Sequence, residues 1–270
     1  MACLRPGTRP PGAENAMILA RLLSSLRQHW PWTHILVRGD SHFATPEVLE
    51  VIPHRRRTDF VFGLAGNAVL LRQAEPVMPV ARRLHQQRTA LARAHGQWPP
   101  TSTRLYEEFP YAAASWAQPW RVVLKAEVMP AGDNPRFVVT SLEAPAPQML
   151  YEDLYCARGN CENDIKAVKC DLHSDRTSAT TFLAHSMRLL LSCAAYVLHH
   201  ALRTHTLQHT ALAQAPPSTV ILTLFKVATQ VKQYKDRSLL HLPSSCPVKG
   251  LLQRVIALLY LVPAPVLNTS

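Results

Sequence analysis

The sequence predicts an α/β protein in three successive zones, and three observations carry that prediction. Residues 34–38, HILVR, form a short β-branched run long enough for a buried strand, and they deliver Gly39-Asp40-Ser41-His42-Phe43 at their carboxyl end. Between residues 101 and 142 the period changes: TRLYEEFPYAA, RVVLKAEVM and RFVVTSL are β-rich runs separated by Pro, Gly and Asn turns. From residue 148 onward the apolar residues return to helical spacing.

Taken in order, residues 1–13, MACLRPGTRPPGA, are rich in Pro, Gly and Arg and predict an irregular lead-in. Residues 14–29 place Met17, Leu19, Leu22, Leu23 and Leu26 at amphipathic-helix spacing, and Trp30-Pro31-Trp32 ends that helix. After the HILVR strand, Thr45 stands in N-cap position before Pro46, so residues 46–53 read as a short helix followed by the basic turn HRRRT. Residues 59–65, DFVFGLA, are a second strand, and residues 67–95 are helical with a break at 76–79. Arg72, Arg82, Arg83, Arg88 and Arg93 in that helical stretch fit a solvated surface as well as a polyanion track. Trp116 and Trp120 could stack on nucleobases, but buried anchors of a small sheet fit them better.

Pro145 and Pro147 close the β-rich zone. Residues 151–176 then lack Pro and carry one Gly, which predicts a helix, and residues 178–205 predict a second long helix. The second has core-like apolar positions Leu183, Leu189, Leu190, Leu191, Ala194, Val197 and Leu198. His199, His200, His205 and His209 at its end read as capping and surface positions. Pro216-Pro217 opens helical residues 218–233, residues 226–237 are basic, residues 248–261 are a last amphipathic helix, and the tail PAPVLNTS frays.

At 270 residues the chain has ample length for a buried core, and 47% hydrophobic content excludes wholesale disorder. Lys and Arg number 29 against 18 Asp and Glu, a net charge of +11. That balance suits a polyanionic partner, because neutralised phosphates release counterions, although basic proteins without such partners are common. The six cysteines form no C-x2-C pair, and Cys156, Cys161 and Cys170 do not gather on one helix face, so free thiols in a reducing cytosol fit better than a zinc site. No secretory leader is evident, and no apolar run reaches the roughly 18 residues of a membrane span. The expectation is a cytoplasmic protein with no membrane partner.

The stretch with chemistry is residues 151–176, YEDLYCARGNCENDIKAVKCDLHSDR. Tyr155, Arg158, Glu162, Lys166 and Lys169 step by three or four residues and fall on one helix face. A face carrying a phenol, a guanidinium, a carboxylate and two amines is not a core face. By spacing alone it fits a solvated helix laced with ion pairs such as Glu162–Lys166.

The letters themselves go further. Tyr155-x2-Arg158-x3-Glu162-x6-Lys169 resembles the Y-R-E-K signature of insertion-sequence DDE transposases. The flanking runs LYCARGNCENDIK and DLHSDRTSATT resemble that family's catalytic helix and the turn after it, and VRGDSHFATPEVLE resembles its second catalytic Asp block. The resemblance implies a ribonuclease H-like catalytic core with a β-rich insertion and a helical C-terminal part. It divides the chain at 1–66, 67–147 and 148–270, with Asp40 in the first zone and Glu162 in the last. It implies Asp40 and Glu162 as catalytic residues and metal ligands, holding two Mg²⁺ or Mn²⁺ ions for in-line phosphoryl transfer. Tyr155, Arg158, Lys166 and Lys169 are implied to hold DNA, the Arg by a bidentate fork. DNA ends and target are the implied partners, with a homodimer or association with full-length transposase, in the cytoplasm at the nucleoid.

One departure stands out. The family's first Asp lies on an earlier strand, whereas between Met1 and Asp40 the sole acidic residue is Glu14, inside a predicted helix. The resemblance therefore implies a partial core: an N-terminally truncated, catalytically incomplete transposase, or else a non-enzymatic DNA-binding or dimerising fragment that interferes with the intact enzyme. Without the earlier strand, HILVR is expected to show an unpaired apolar edge.

Overall fold

The computed structural model describes residue 4 and residues 12–176, 178–243 and 246–261. Cys3, most of the predicted lead-in and the PAPVLNTS tail lie outside the described residues. The chain divides into two compact units, one comprising Gly7–Asn160 and the other including Cys161–Ser270.

The first unit opens with helix α1 (Gly12–His29), which buries Ala16, Leu19 and Leu23; Met17 and Leu22 of the predicted apolar stripe stay exposed. Strand β1 (Ile35–Gly39) and a short 3-10 turn (Ser41–Phe43) lead to α2 (Pro46–Val51) and β2 (Thr58–Leu64). Thr45 occupies the N-cap of α2, yet its side chain makes no capping bond. The predicted helical stretch with a break is two helices, α3 (Ala68–Ala74) and α4 (Met78–Ala94).

The β-rich zone supplies β3 (Thr103–Tyr111), β4 (Trp120–Met129), the two-residue β5 (Gly132–Asp133) and β6 (Arg136–Thr140). These strands do not make a sheet of their own. They continue the first two strands into a single sheet, ordered β1-β2-β6-β4-β3 with β5 beside β4. β1 and β2 are parallel, Ile35 opposite Thr58 and Gly39 opposite Phe62; the other pairings are antiparallel. β1 is thus an edge strand whose outer side has no partner among the described residues.

One face of the sheet is a core of Phe60, Phe62, Val122, Leu124 and Val139 packed with Leu49, Ile52, Leu70 and Ala81 from the helices. Trp120 meets Phe60 edge-on at 5.2 Å and Trp116 meets Tyr111 edge-on at 5.4 Å, so both tryptophans serve as anchors of the sheet. On the other face Val61, Val123 and Val138 pack against Leu150 and Tyr151. Tyr151 opens the signature segment and Leu150 immediately precedes it, in a stretch that is helical but not uniformly α. It runs from α5 (Pro147–Met149) through a wide π turn (Leu150–Tyr155) and a 3-10 turn (Cys156–Arg158) into α6 (Gly159–Lys166), then a second π turn (Ala167–Asp171).

A buried polar network lies near this face. Glu127 accepts from Lys125 Nζ (2.6 Å), Arg104 Nε (2.7 Å) and Asn134 Nδ2 (2.8 Å). Burial by itself would raise the Glu127 carboxyl, but these three donors hold it down at about 2.

The second unit carries α7 (Phe182–Ala201), capped by Thr181 Oγ1 accepting from Ala184 N–H, and a π turn (Leu202–Thr206). The expectation of a core face on α7 is not met: Leu183 is 79% exposed, Leu198 71%, and Leu190, Leu191 and Val197 are also more than half exposed. The sequence shows apolar spacing, but which neighbour covers a stripe is a tertiary property. By length and composition Phe182–Thr206 reaches what a membrane span requires, which the sequence reading did not expect. Arg188, Arg203 and four histidines distributed along it oppose burial in lipid. The core of this unit is Leu207, Leu212, Val220, Leu224 and Val255, from the loop after α7, α8 (Pro217–Val220), the following π turn (Ile221–Phe225) and α9 (Lys249–Leu261). Where helix was expected to residue 233, the chain instead forms a hairpin of β7 (Gln230–Gln233) and β8 (Ser238–His241).

Candidate active site

β1 ends at Gly39, buried because Phe43 folds back over it; a Cβ there would come within 2.8 Å of the Phe43 ring. Phe43 in turn packs on Phe62 at 5.9 Å. The chain therefore turns sharply at the carboxyl end of the strand, and Asp40 stands at the turn. Its Oδ1 accepts the His42 backbone N–H (3.0 Å) and lies 3.3 Å from His42 Nδ1, while its side chain keeps 46% exposure. Capping and ligand binding are compatible here, because one oxygen secures the turn and the carboxylate still faces solvent.

Next to it, β2 presents Gly63, buried on the sheet. A Cβ on Gly63 would sit 2.6 Å from Tyr155 Oη and 3.3 Å from the backbone nitrogen of Ser41. The Tyr155 hydroxyl thus occupies the space left by the missing side chain, beside the Asp40–Ser41 turn. Arg38 Nη1 donates to the Leu154 carbonyl (3.0 Å) and fastens β1 to the helical segment carrying Tyr155.

Tyr155 belongs to an aromatic row, with Tyr151 5.5 Å away and Tyr106 5.9 Å beyond Tyr151. Arg158 Cζ stands 5.6 Å from the Tyr155 ring centroid, a cation–π distance. Burial pushes the Tyr155 phenol up; the Arg158 charge opposes this and the Asp40 charge adds to it. Asp40 is brought to one corner of one unit with Tyr155 and Arg158, more than a hundred residues away in sequence.

Glu162 and Lys166 lie on α6 and Lys169 on the π turn after it, all three exposed and all in the second unit. Lys166 lines a cleft of about 360 Å³ with Asp164, Tyr196, His199 and Arg203. Tyr196 Oη donates to Asp164 Oδ1 at 2.7 Å, and burial together with that bond pushes the phenol up to about 12. Burial lowers His199, aided by the Arg203 charge.

Sequence reasoning did not single out Gly63 or Tyr151. Gly63 was findable: a glycine inside an otherwise bulky strand, F-G-L, marks a close approach by another group. Tyr151 was not, because its stacking depends on Tyr106 from a distant strand.

No curated protein matches the chain. The transposase DDE domain, group 1, matches residues 1–264, which spans the Asp40 turn, the whole sheet and the signature helix. A match of that extent shows that the chain belongs to the group 1 transposase DDE-domain family.

Proposed function

We propose that this chain handles transposon-end and target DNA by metal-dependent phosphoryl transfer chemistry, with Asp40 and Glu162 as its carboxylates, on a partial ribonuclease H-like core. The observation that carries the reading is the corner of Asp40, Gly63, Tyr155 and Arg158, inside a chain whose family acts on DNA with divalent metals. The donors suit Mg²⁺ or Mn²⁺: Asp40 offers hard carboxylate oxygen at a strand end, and Mg²⁺ needs few carboxylates when substrate phosphate completes its shell. Bound ions would activate the attacking hydroxyl and stabilise the leaving oxygen. Arg158 grips a phosphate by its fork, Tyr155 orients Arg158 and the strand beside it, and Lys166 and Lys169 neutralise further phosphates. The setting that goes with this reading is the cytoplasm, at the nucleoid.

By itself the chain is catalytically incomplete in this reading, because the family's third carboxylate has no counterpart beside Asp40 among the described residues. The outer edge of β1, without a partner among the described residues, favours a second reading as well, a fragment that pairs with intact transposase and interferes with it.

The test is Mg²⁺- or Mn²⁺-dependent cleavage of a labelled duplex bearing the element's ends, comparing the chain with Glu162→Gln and Asp40→Asn. Binding without cleavage supports the incomplete enzyme. Cleavage lost in both variants overturns incompleteness and keeps the chemistry. Absence of binding overturns the DNA role. Inhibition of intact transposase by the added chain distinguishes the second reading.

A further inference from the structure

We propose that an arginine cluster at the amino-terminal ends of β1 and β2 is a second nucleic-acid surface, one that takes a single DNA strand with a base stacked on Trp32. It rests on the transposase reading only for the choice of DNA as the polyanion.

Arg21 and Arg27 come from α1, and Arg55, Arg56 and Arg57 from the turn between α2 and β2. Arg21, Arg27, Arg55 and Arg56 border two adjoining hollows of about 410 and 360 Å³. Arg27, Trp32, Arg55 and Arg56 line the first, and Arg21, Ser24, Gln28 and Arg55 the second. Arg55 is common to both, so the groove is continuous.

Three arginines elsewhere in this unit pair with carboxylates, Arg82 with Asp133, Arg104 with Glu127 and Arg121 with Glu108. Among the described residues none of these five guanidiniums has one. Asp59, close by in sequence, is taken by His34 Nε2 and Ser141 Oγ, each at 2.7 Å. Five like charges gathered without a counter-ion repel one another, and a polyanion offsets that repulsion.

The groups are also held in place. Arg27 donates to the carbonyls of Thr33 (2.6 Å) and Arg56 (2.9 Å), and Arg55 Nη1 to Ser24 Oγ (3.0 Å). Arg57 has φ of 54°, a left-handed conformation costly for a side-chain-bearing residue, sustained by its bond to the Trp32 carbonyl (2.7 Å). Arg56 lies 5.3 Å over the Trp32 ring; Trp32 is 65% exposed, and Trp30, two residues earlier, is 55% exposed. Pre-positioned guanidiniums interleaved with exposed indoles are what a single strand needs, phosphates on the one and base faces on the other. The patch lies at the end of β1 opposite Asp40, roughly 17 Å away along a five-residue strand.

The test measures binding of the full chain to a labelled oligothymidine and to a duplex of equal length, at about 50 and about 200 mM salt. The variants are Arg55→Gln/Arg56→Gln and Trp32→Ala; Arg27 and Arg57 are left intact because they bond backbone carbonyls. Thermal melts establish that each variant is folded. The double variant is expected to bind oligothymidine about 10-fold or more weakly, with the salt slope shallower by about 1.4, the value for two single-strand phosphates. Trp32→Ala is expected to lose about 5- to 100-fold on the single strand and little on the duplex. Unchanged affinity and slope in a folded double variant, or equal loss on both DNAs from Trp32→Ala, overturns the proposal. Cleavage is read through Asp40 and Glu162, whereas this surface is read through the change that Arg55, Arg56 and Trp32 substitutions make in strand binding, so failure of the one and failure of the other are distinguishable.

Discussion

The hydroxyl of Tyr155 stands where a side chain on Gly63 would be, 2.6 Å from the position of the missing Cβ. A strand residue and a helix residue about ninety positions apart are therefore fitted to each other, and neither can be enlarged by itself. Gly63→Ala should destabilise the chain by about 1–3 kcal/mol through overpacking. Removing the hydroxyl leaves Tyr155 Cζ at 3.4 Å, an ordinary contact, so Gly63→Ala/Tyr155→Phe should recover most of the loss. Denaturant unfolding of the two variants decides it; no recovery would mean that the strand, not the phenol, is what the methyl group disturbs.

Glu127 links stability to acid. Its carboxyl is held at about 2 against a reference of 4.5, so its contribution is fully present above pH 4.5 and is lost as pH falls toward 2. That contribution is at most about 3 kcal/mol. Glu127→Gln should flatten the stability profile in that window, and at neutral pH it should also destabilise the chain because Lys125, 9% exposed, loses its carboxylate. A pH titration of chemical unfolding from pH 7 to 2 would show both effects.

Arg27 ties the end of α1 to two loops through carbonyls of Trp30, Thr33, Arg56 and Arg57. Arg27→Gln should cost about 2–4 kcal/mol, since charge-assisted bonds are worth more than neutral ones and several acceptors are left unpaired. Arg55 bonds Ser24 Oγ and no other group among the described residues, so Arg55→Gln should cost under about 1 kcal/mol. Comparing the two thermal unfolding midpoints tests this ranking.

On α7, Leu191 and Leu198 are exposed, so Leu191→Lys and Leu198→Lys should change stability by no more than about 0.5 kcal/mol and should raise solubility. Losses of several kcal/mol would mean that this face is covered in solution.

The sequence by itself determined the α/β class, the strand that delivers Asp40, the three β-rich runs and the helical signature segment. Each rests on local information: period, β-branching and Pro or Gly punctuation. The resemblance of residues 37–50 and 154–181 to a transposase agrees with a family match across residues 1–264. Tertiary structure decided the rest. Apolar spacing in residues 178–205 looks the same whether or not a neighbour covers it, so exposure of α7 was not legible. Residues 230–233, the first strand of the hairpin, were read as helix because Gln and Lys favour helix, and pairing of Val231 with Leu240 settles the matter across the turn. The joining of β6 to β2, which makes one sheet of two sequence zones, is a non-local pairing that no window of residues contains. The same pairing sets Gly63 in the sheet, where Tyr155 meets it beside Asp40, and so turns a motif into a corner with geometry.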